Sequence, residues 1–124
     1  MKDGERRDRF LVDEMLTHLS LLGQIGERGK SAFIAPEGAE ARYAAEHALE
    51  LFAEAVEKVS GTFEKANPKI PWRRFRPFRR RVAHPYDHGS EAVNVDELWE
   101  FLAHDVPVLR KSLRKARFPP TPQA

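Results

Sequence analysis

Apolar residues recur at helical spacing along most of this sequence, and no stretch shows the sustained alternation of a half-buried strand. The first stripe ends before the turn at Gly26 and Gly29 and consists of Val12, Met15, Leu16, Leu19, Leu22 and Ile25. A second helix is expected to start near Pro36, which suits a first helical turn, and to end near Gly61. The pattern predicts an all-α bundle of four to five helices with an up-and-down core.

The second half of the chain continues this pattern. Two prolines in the connector 67–71 prevent a continuous helix, and a short helix follows. Arginines in that helix alternate with residues expected to face inward, namely Trp72, Phe75, Phe78 and Val82. Asn94 and Glu97 resemble a capping pair that opens a last helix, which Pro107 is expected to kink or divide. We expect one domain over 1–118 and a flexible tail over 119–124.

Composition excludes several classes of protein. A chain of 124 residues has room for one domain, and the absence of cysteine excludes disulfide scaffolds, thiolate zinc sites and cysteine nucleophiles. No apolar run approaches the roughly 18 residues of a membrane span, and the first residues lack a secretory core. We therefore expect a cytoplasmic protein.

Charge is strongly segregated although the net charge is only +2. Residues 37–64 contain seven acidic and two basic residues, a net charge of −5, whereas residues 65–86 contain eight basic residues and none that is acidic. Such a distribution can present one anion-attracting surface on a nearly neutral molecule.

Two familiar motifs fit the sequence poorly. Gly29-Lys30-Ser31 resembles the end of a phosphate-binding P-loop, but no glycine occupies position 24 and no strand precedes it. His84 and His88 have the spacing of a helical metal-binding pair, yet Pro85 argues against a helix there and no third ligand is evident. We therefore predict neither a P-loop nor a metal site.

The segment 79–86 carries the residue types of phosphate chemistry. Residues five apart on a regular helix lie about 140° apart, but Pro85 disfavours helix at His84, so we expect the helix to end near Ala83. The imidazole of His84 can then approach the guanidinium of Arg79, next to the Tyr86 hydroxyl. Arginine binds phosphate, and histidine moves a proton near neutral pH. The alternative is a solvated arginine-rich helix face.

These residues resemble the R-x4-H-x-Y signature of the HepT-like ribonucleases of the HEPN superfamily. Other parts of the chain resemble that family in the same order: Gly29-Lys30-Ser31 with Phe33, Phe52-Ala53-Glu54-Ala55, Pro68-Lys69-Ile70-Pro71-Trp72, Val95-Asp96 with Trp99, and Asp105-Val106-Pro107-Val108-Leu109. The resemblance implies an α-helical homodimer in which two such segments face one cleft.

The resemblance also implies an activity and its control. Members resemble toxins of toxin–antitoxin pairs that cleave RNA without a metal or cofactor, and the partner is a minimal nucleotidyltransferase antitoxin that adds AMP to the motif tyrosine. Carried over, Arg79 polarises the scissile phosphate, His84 is the general acid and base, and Tyr86 is both an active-site hydroxyl and the AMPylation target. The neighbouring arginines expected to bind RNA phosphates are Arg73, Arg76, Arg80 and Arg81.

Two positions depart from the family pattern. Arg80 stands where a small polar residue is common, and Pro85 replaces a more flexible residue between the motif histidine and tyrosine. These departures leave open a non-catalytic module that partners a nucleotidyltransferase and presents Tyr86 or a nucleotide pocket. A dimeric bundle whose arginine face binds polyanions nonspecifically is the third hypothesis.

Overall fold

Helices make up the regular structure of the described chain. The structure, a computed structural model, describes residues 3–83 and 94–120, with the backbone alone over 78–83. Its helices are α1 (Asp3–Glu27), α2 (Lys30–Ile34), α3 (Ala39–Lys58), α4 (Gly61–Ala66), α5 (Trp72–Ala83), α6 (Val95–Glu100) and α7 (Val106–Arg114). A 3-10 turn spans Pro36–Gly38, and a π-helical segment spans Phe101–Asp105. The part of the chain that is described contains no strand, which confirms the all-α prediction.

The longest helices, α1 and α3, run antiparallel and form the centre of the core. Asp8 near the start of α1 contacts Ser60 just beyond α3, while His18 lies close to His47 halfway along. Five residues of the predicted α1 stripe are buried, whereas Leu16 is only partly buried, and the buried face also includes Asp8 and Leu11. Small residues on α3, such as Ala45 and Ala48, are buried and allow close helix packing.

The connection between α1 and α3 is more structured than the sequence indicated. Gly29 has a φ of 91°, a left-handed conformation that glycine adopts without a steric penalty. The predicted start at Pro36 corresponds to the 3-10 turn, and α3 begins at Ala39. Arg42 fastens this turn, because its Nη1 donates to the backbone oxygens of Phe33 at 2.6 Å and Ala35 at 2.7 Å.

The second long helix ends close to Gly61, as predicted, but a short helix that was not predicted begins there. α3 ends at Lys58, and Gly61 begins α4. The reason is Ser60, whose hydroxyl caps α4 by accepting a hydrogen bond from the Phe63 N–H at 3.1 Å. The buried carboxylate of Asp8 holds Ser60 in place, accepting from its N–H at 2.9 Å and its hydroxyl at 2.6 Å.

The final helical run has the predicted beginning and interruption. The Asn94 side chain accepts from the Glu97 N–H at 2.9 Å, which confirms the cap. The interruption before Pro107 is the π-helical segment, in which the Val106 N–H donates to the Phe101 oxygen five residues back. Proline has no N–H and crowds the preceding turn, so it sits in the first turn of α7, where no such donor is needed.

Candidate active site

Helix α5 carries the arginines of the predicted site and is fixed to the core by aromatic rings. Trp72 and Phe75 are buried, as predicted. The Phe75 ring lies 5.8 Å from Phe52 and 5.6 Å from Phe101, and the Trp72 ring lies 5.7 Å from Phe63, all between centroids. Edge-to-face packing of this kind favours a defined orientation. The core therefore sets the position and rotation of α5.

An ion pair joins α5 to the π-helical segment. Arg74 Nη1 and Nη2 donate to the two carboxylate oxygens of Asp105 at 2.8 and 2.9 Å. Such bidentate pairing fixes both distance and orientation. The Arg74 guanidinium therefore takes part in a structural ion pair between α5 and the π-helical segment.

A second ion pair joins α5 to α4. Both terminal nitrogens of Arg76 donate to the Glu64 carboxylate, with Nη1 2.9 Å from Oε1. The hydrogen bonds with Glu64 raise the pKa of Arg76 above its ordinary value. Arg76 was predicted to bind RNA phosphate, and this contact occupies its forked donors with a carboxylate instead.

Arg73 is the arginine of the first turn of α5 that has no carboxylate partner among the described residues. It is exposed and lines a groove of about 650 Å³ together with Lys65 of α4. Glu64 also lines the groove, but Arg76 pairs with it. Arg73 and Lys65 are therefore available to an anionic ligand.

Asn67 holds the connector that precedes α5 against the C-terminal end of the bundle. Its Nδ2 donates to the backbone oxygens of Phe63 and Arg117, each at 2.9 Å, and its Oδ1 accepts from the Arg117 N–H at 2.9 Å. The Trp72 indole N–H in turn donates to the Asn67 backbone oxygen at 3.0 Å. These hydrogen bonds fix the point at which α5 begins.

The predicted reacting residues lie at and beyond the far end of α5. The backbone of Arg79, Arg80 and Arg81 belongs to this helix, which is described as far as Ala83. His84 and Tyr86 lie outside the described residues, as do Pro85 and His88. The convergence of Arg79, His84 and Tyr86 therefore stays a prediction.

The sequence did not predict the role of Glu64, Asn67 and Asp105, whose side chains bind α5 or the connector before it. Each acts on a residue between 12 and 50 positions away. Neither their residue types nor their neighbours in the sequence indicated a distant partner, because an acid among other acids and an asparagine before a proline are both common. The clearest signal was the excess of arginine in α5, since arginines that flank a buried helix face need acidic partners or solvent.

The three histidines in the described part of the chain lie on helical elements other than α5. His18 of α1 lies near His47 of α3, whose side chain is exposed, and His104 lies on the π-helical segment beside Glu100. Across the described residues, no three histidine or acidic side chains are grouped as metal ligands. Nor is any helix in that part of the chain both long and apolar enough to cross a membrane.

Comparison with known proteins identifies the family. The sequence profile described as Ribonuclease HepT-like matches residues 15–116, from within α1 to just beyond α7. The chain belongs to the HepT-like family. The match includes α5 and the whole segment 79–86, so the family resemblance of the separate motifs extends over one continuous domain.

Individual relatives agree with this assignment. A protein of Thermococcus cleftensis named "Probable ribonuclease HepT" is 32% identical over 76 residues, which cover 61% of this chain and 66% of that protein. Proteins described as candidate RNases from Methanocaldococcus jannaschii and Caldanaerobacter subterraneus are 31% and 28% identical over 58% and 54% of this chain. The matched part spans 62% and 56% of their lengths. No solved structure matches the chain.

Proposed function

We propose that this HepT-like chain is an RNA endonuclease that acts without a metal, with Arg79, His84 and Tyr86 as its reacting residues. The observation that carries the proposal is the family match over residues 15–116, which includes the R-x4-H-x-Y segment. The names of the relatives support ribonuclease activity. The ion pairs that hold α5 in place support a rigid base for the site.

The proposed reaction is a transesterification at an RNA phosphate. Neutral His84 takes the proton of the 2′-hydroxyl, the 2′-oxygen bonds to phosphorus, and the bond from phosphorus to the 5′-oxygen of the next nucleotide breaks. Arg79 stabilises the negative charge that develops on the phosphorane oxygens. The products are a 2′,3′-cyclic phosphate and a 5′-hydroxyl, whose proton comes from a protonated imidazole.

A homodimer suits this reaction, because it needs one imidazole as base and another as acid. Two copies of segment 79–86 facing one cleft supply both, with the partner subunit's His84 as the second group. Arg80 and Arg81 add positive charge for the RNA backbone on either side of the scissile phosphate.

We further propose that the enzyme is the toxin of a toxin–antitoxin pair. A nucleotidyltransferase antitoxin transfers AMP from a nucleoside triphosphate to the Tyr86 oxygen and releases pyrophosphate. The bound AMP fills the cleft and places a negative charge against the arginines, so RNA is excluded without unfolding the protein.

Cleavage of labelled RNA in EDTA tests the catalytic proposal. The parent protein should cleave at a concentration at which sedimentation shows a dimer. His84→Ala should lose at least about a hundredfold in rate, which is the lower range for removing a general acid or base. His104→Ala is the matched control, because that side chain is 72% exposed on the π-helical segment, and it should cleave like the parent.

Failure of the dimeric parent protein to cleave RNA would contradict the proposal. Mass spectrometry after co-expression with a nucleotidyltransferase then separates the alternatives. An AMP-sized addition on Tyr86 in a protein without RNase activity would select the non-catalytic module, which the departures at Arg80 and Pro85 favour.

A further inference from the structure

A second group of cations lies away from segment 79–86, at the end of the bundle where α5 begins and α7 ends. Between residues 106 and 124 the chain contains five basic residues and no acidic one. We define the C-terminal basic surface as these cations with one from the connector: Lys69, Arg110, Lys111, Arg114, Lys115 and Arg117.

Two adjoining grooves bring these cations together. Lys69, Lys115 and Arg117 line a groove of about 400 Å³ between the connector and the C-terminal residues. A second groove of about 300 Å³ is lined by three cations of α7, including Arg110, and by Lys115 at its C-cap. Because Lys115 lines both grooves, the two grooves are adjacent and both are lined by cations.

The surface is held in shape by the fold. The hydrogen bonds of Asn67 join the connector to the backbone of Arg117, so Lys69 and Arg117 are fixed on the same side of the bundle. Arg110 packs across Gly23 of α1, where an added Cβ would lie 3.1 Å from its Nη1. The cations therefore sit on anchored backbone rather than on a frayed end.

Among the described residues, no carboxylate lines either groove. Two acids at this end of the bundle are already paired, with Glu5 bound by Arg9 at 3.2 Å and Glu64 bound by Arg76. By contrast, the groove beside Asn94 is lined by Asp96, Glu97, Glu100 and Asp105. A concave surface lined by one sign of charge attracts and concentrates ligands of the opposite sign.

The extent of the surface indicates a polyanion rather than a single phosphate. Arg110 to Arg114 span about 6 Å of α7, Lys115 and Arg117 continue beyond its end, and Lys69 lies on the opposite wall of the first groove. α5 begins immediately after this connector, and Arg79, the first residue of segment 79–86, follows about 10 Å along this helix.

We propose that the C-terminal basic surface binds the phosphate backbone of single-stranded RNA at nucleotides remote from the cut, with Arg73 and Lys65 on the route to segment 79–86. This inference rests on the proposed function for its choice of polyanion. The binding depends on charge and is independent of base sequence. A long RNA contacts both the C-terminal basic surface and segment 79–86, whereas a short RNA contacts segment 79–86 alone. Affinity should therefore increase with RNA length.

The test compares two double variants with the same net charge, in a His84→Ala background that prevents turnover. Lys115→Gln with Arg117→Gln neutralises the first groove. Arg28→Gln with Lys30→Gln neutralises one cation just after α1 and one at the start of α2, about 28 Å along α1 from Arg9, which contacts Phe118. Binding of RNAs of about 4 and about 16 nucleotides is measured by fluorescence anisotropy across a salt series.

The Lys115/Arg117 variant should bind the longer RNA on the order of tenfold more weakly in about 0.1 M salt. Its slope of log affinity against log salt should be shallower by about 1.4, which is about 0.7 for each RNA phosphate that the variant no longer neutralises. The Arg28/Lys30 variant should bind like its background, and neither variant should change binding of the short RNA. Urea unfolding checks that each variant is folded. Lys69→Gln, on the opposite wall of the first groove, removes one cation and should make the salt slope shallower by half as much.

Equal decreases in affinity in the two double variants, or no decrease in either, would overturn the proposal. So would unchanged RNA binding together with abolished binding to vesicles of anionic phospholipid, which would assign the surface to a membrane. The proposed function is tested separately. If the parent protein does not cleave RNA, but the Lys115/Arg117 substitutions weaken RNA binding as described, the nuclease proposal is wrong and the RNA-binding surface is supported.

Discussion

Gly38 shows at the scale of one residue how closely the turn before α3 is packed. Its backbone, with φ −83° and ψ 3°, is open to any residue, so conformational freedom does not explain the glycine. Space does: an added Cβ would press on the Ala32 carbonyl oxygen and lie 2.8 Å from that of Phe33. These are backbone atoms, and the Phe33 oxygen also accepts from Arg42, so they have little room to move.

Gly38→Ala should therefore lower the free energy of unfolding by about 1–3 kcal/mol, the usual cost of overfilling a packed site. Gly61→Ala is the control, because an added Cβ meets nothing within 4 Å there. That change should be neutral or stabilising by up to about 1 kcal/mol. Urea unfolding of the two variants measures both effects. Equal stability of Gly38→Ala and the parent protein would show that the backbone of the turn can shift to accommodate the added methyl group.

At the scale of the helices, sequence periodicity predicted most elements, because burial of an apolar stripe depends on local spacing. The stripe of α1, the Asn94 cap and the interruption before Pro107 were all found. The short helix α4 was missed, since Asp8, 52 residues away, holds Ser60 at its start. The same limit applied to the candidate site: the excess of arginine was visible in the sequence, but the carboxylates that bind two of them were not.

This distinction between arginines predicts different effects of neutralising them. Arg73 is exposed without a carboxylate partner among the described residues, whereas Arg76 is paired with Glu64. Arg73→Gln should weaken RNA binding about fivefold in about 0.1 M salt and make the salt slope shallower by about 0.7. Arg76→Gln combined with Glu64→Gln removes the pair without changing net charge, and should leave RNA affinity within about twofold.

The same double variant should lose about 0.5–1.5 kcal/mol of stability, because a partly exposed bidentate pair contributes modestly. Anisotropy titrations and urea unfolding give the two readouts. If removal of the pair weakened RNA binding as much as Arg73→Gln does, Arg76 would belong to the RNA-binding surface after all.

At the scale of the whole molecule, the C-terminal residues pack over the end of the bundle that carries the C-terminal basic surface and the start of α5. The Phe118 ring lies 5.1 Å from Phe63, and the Arg9 guanidinium lies 4.4 Å above it. The backbone of Arg117 completes the hydrogen bonds of Asn67, which also holds the start of α5 through Trp72. Residues 117 and 118 thus connect α1, α4 and α5 although they follow the last helix.

Truncation measures the strength of this closure. A chain that ends at Phe118 keeps all of these interactions and should unfold at the same urea concentration as the full chain. A chain that ends at Ala116 lacks the Phe118 ring and the Asn67 bonds to Arg117, and should be less stable by about 2–4 kcal/mol. It should also expose Trp72 to quenching by iodide, because the connector is no longer held. Equal stability of the two truncated chains would mean that α5 is positioned by its ion pairs and buried rings alone.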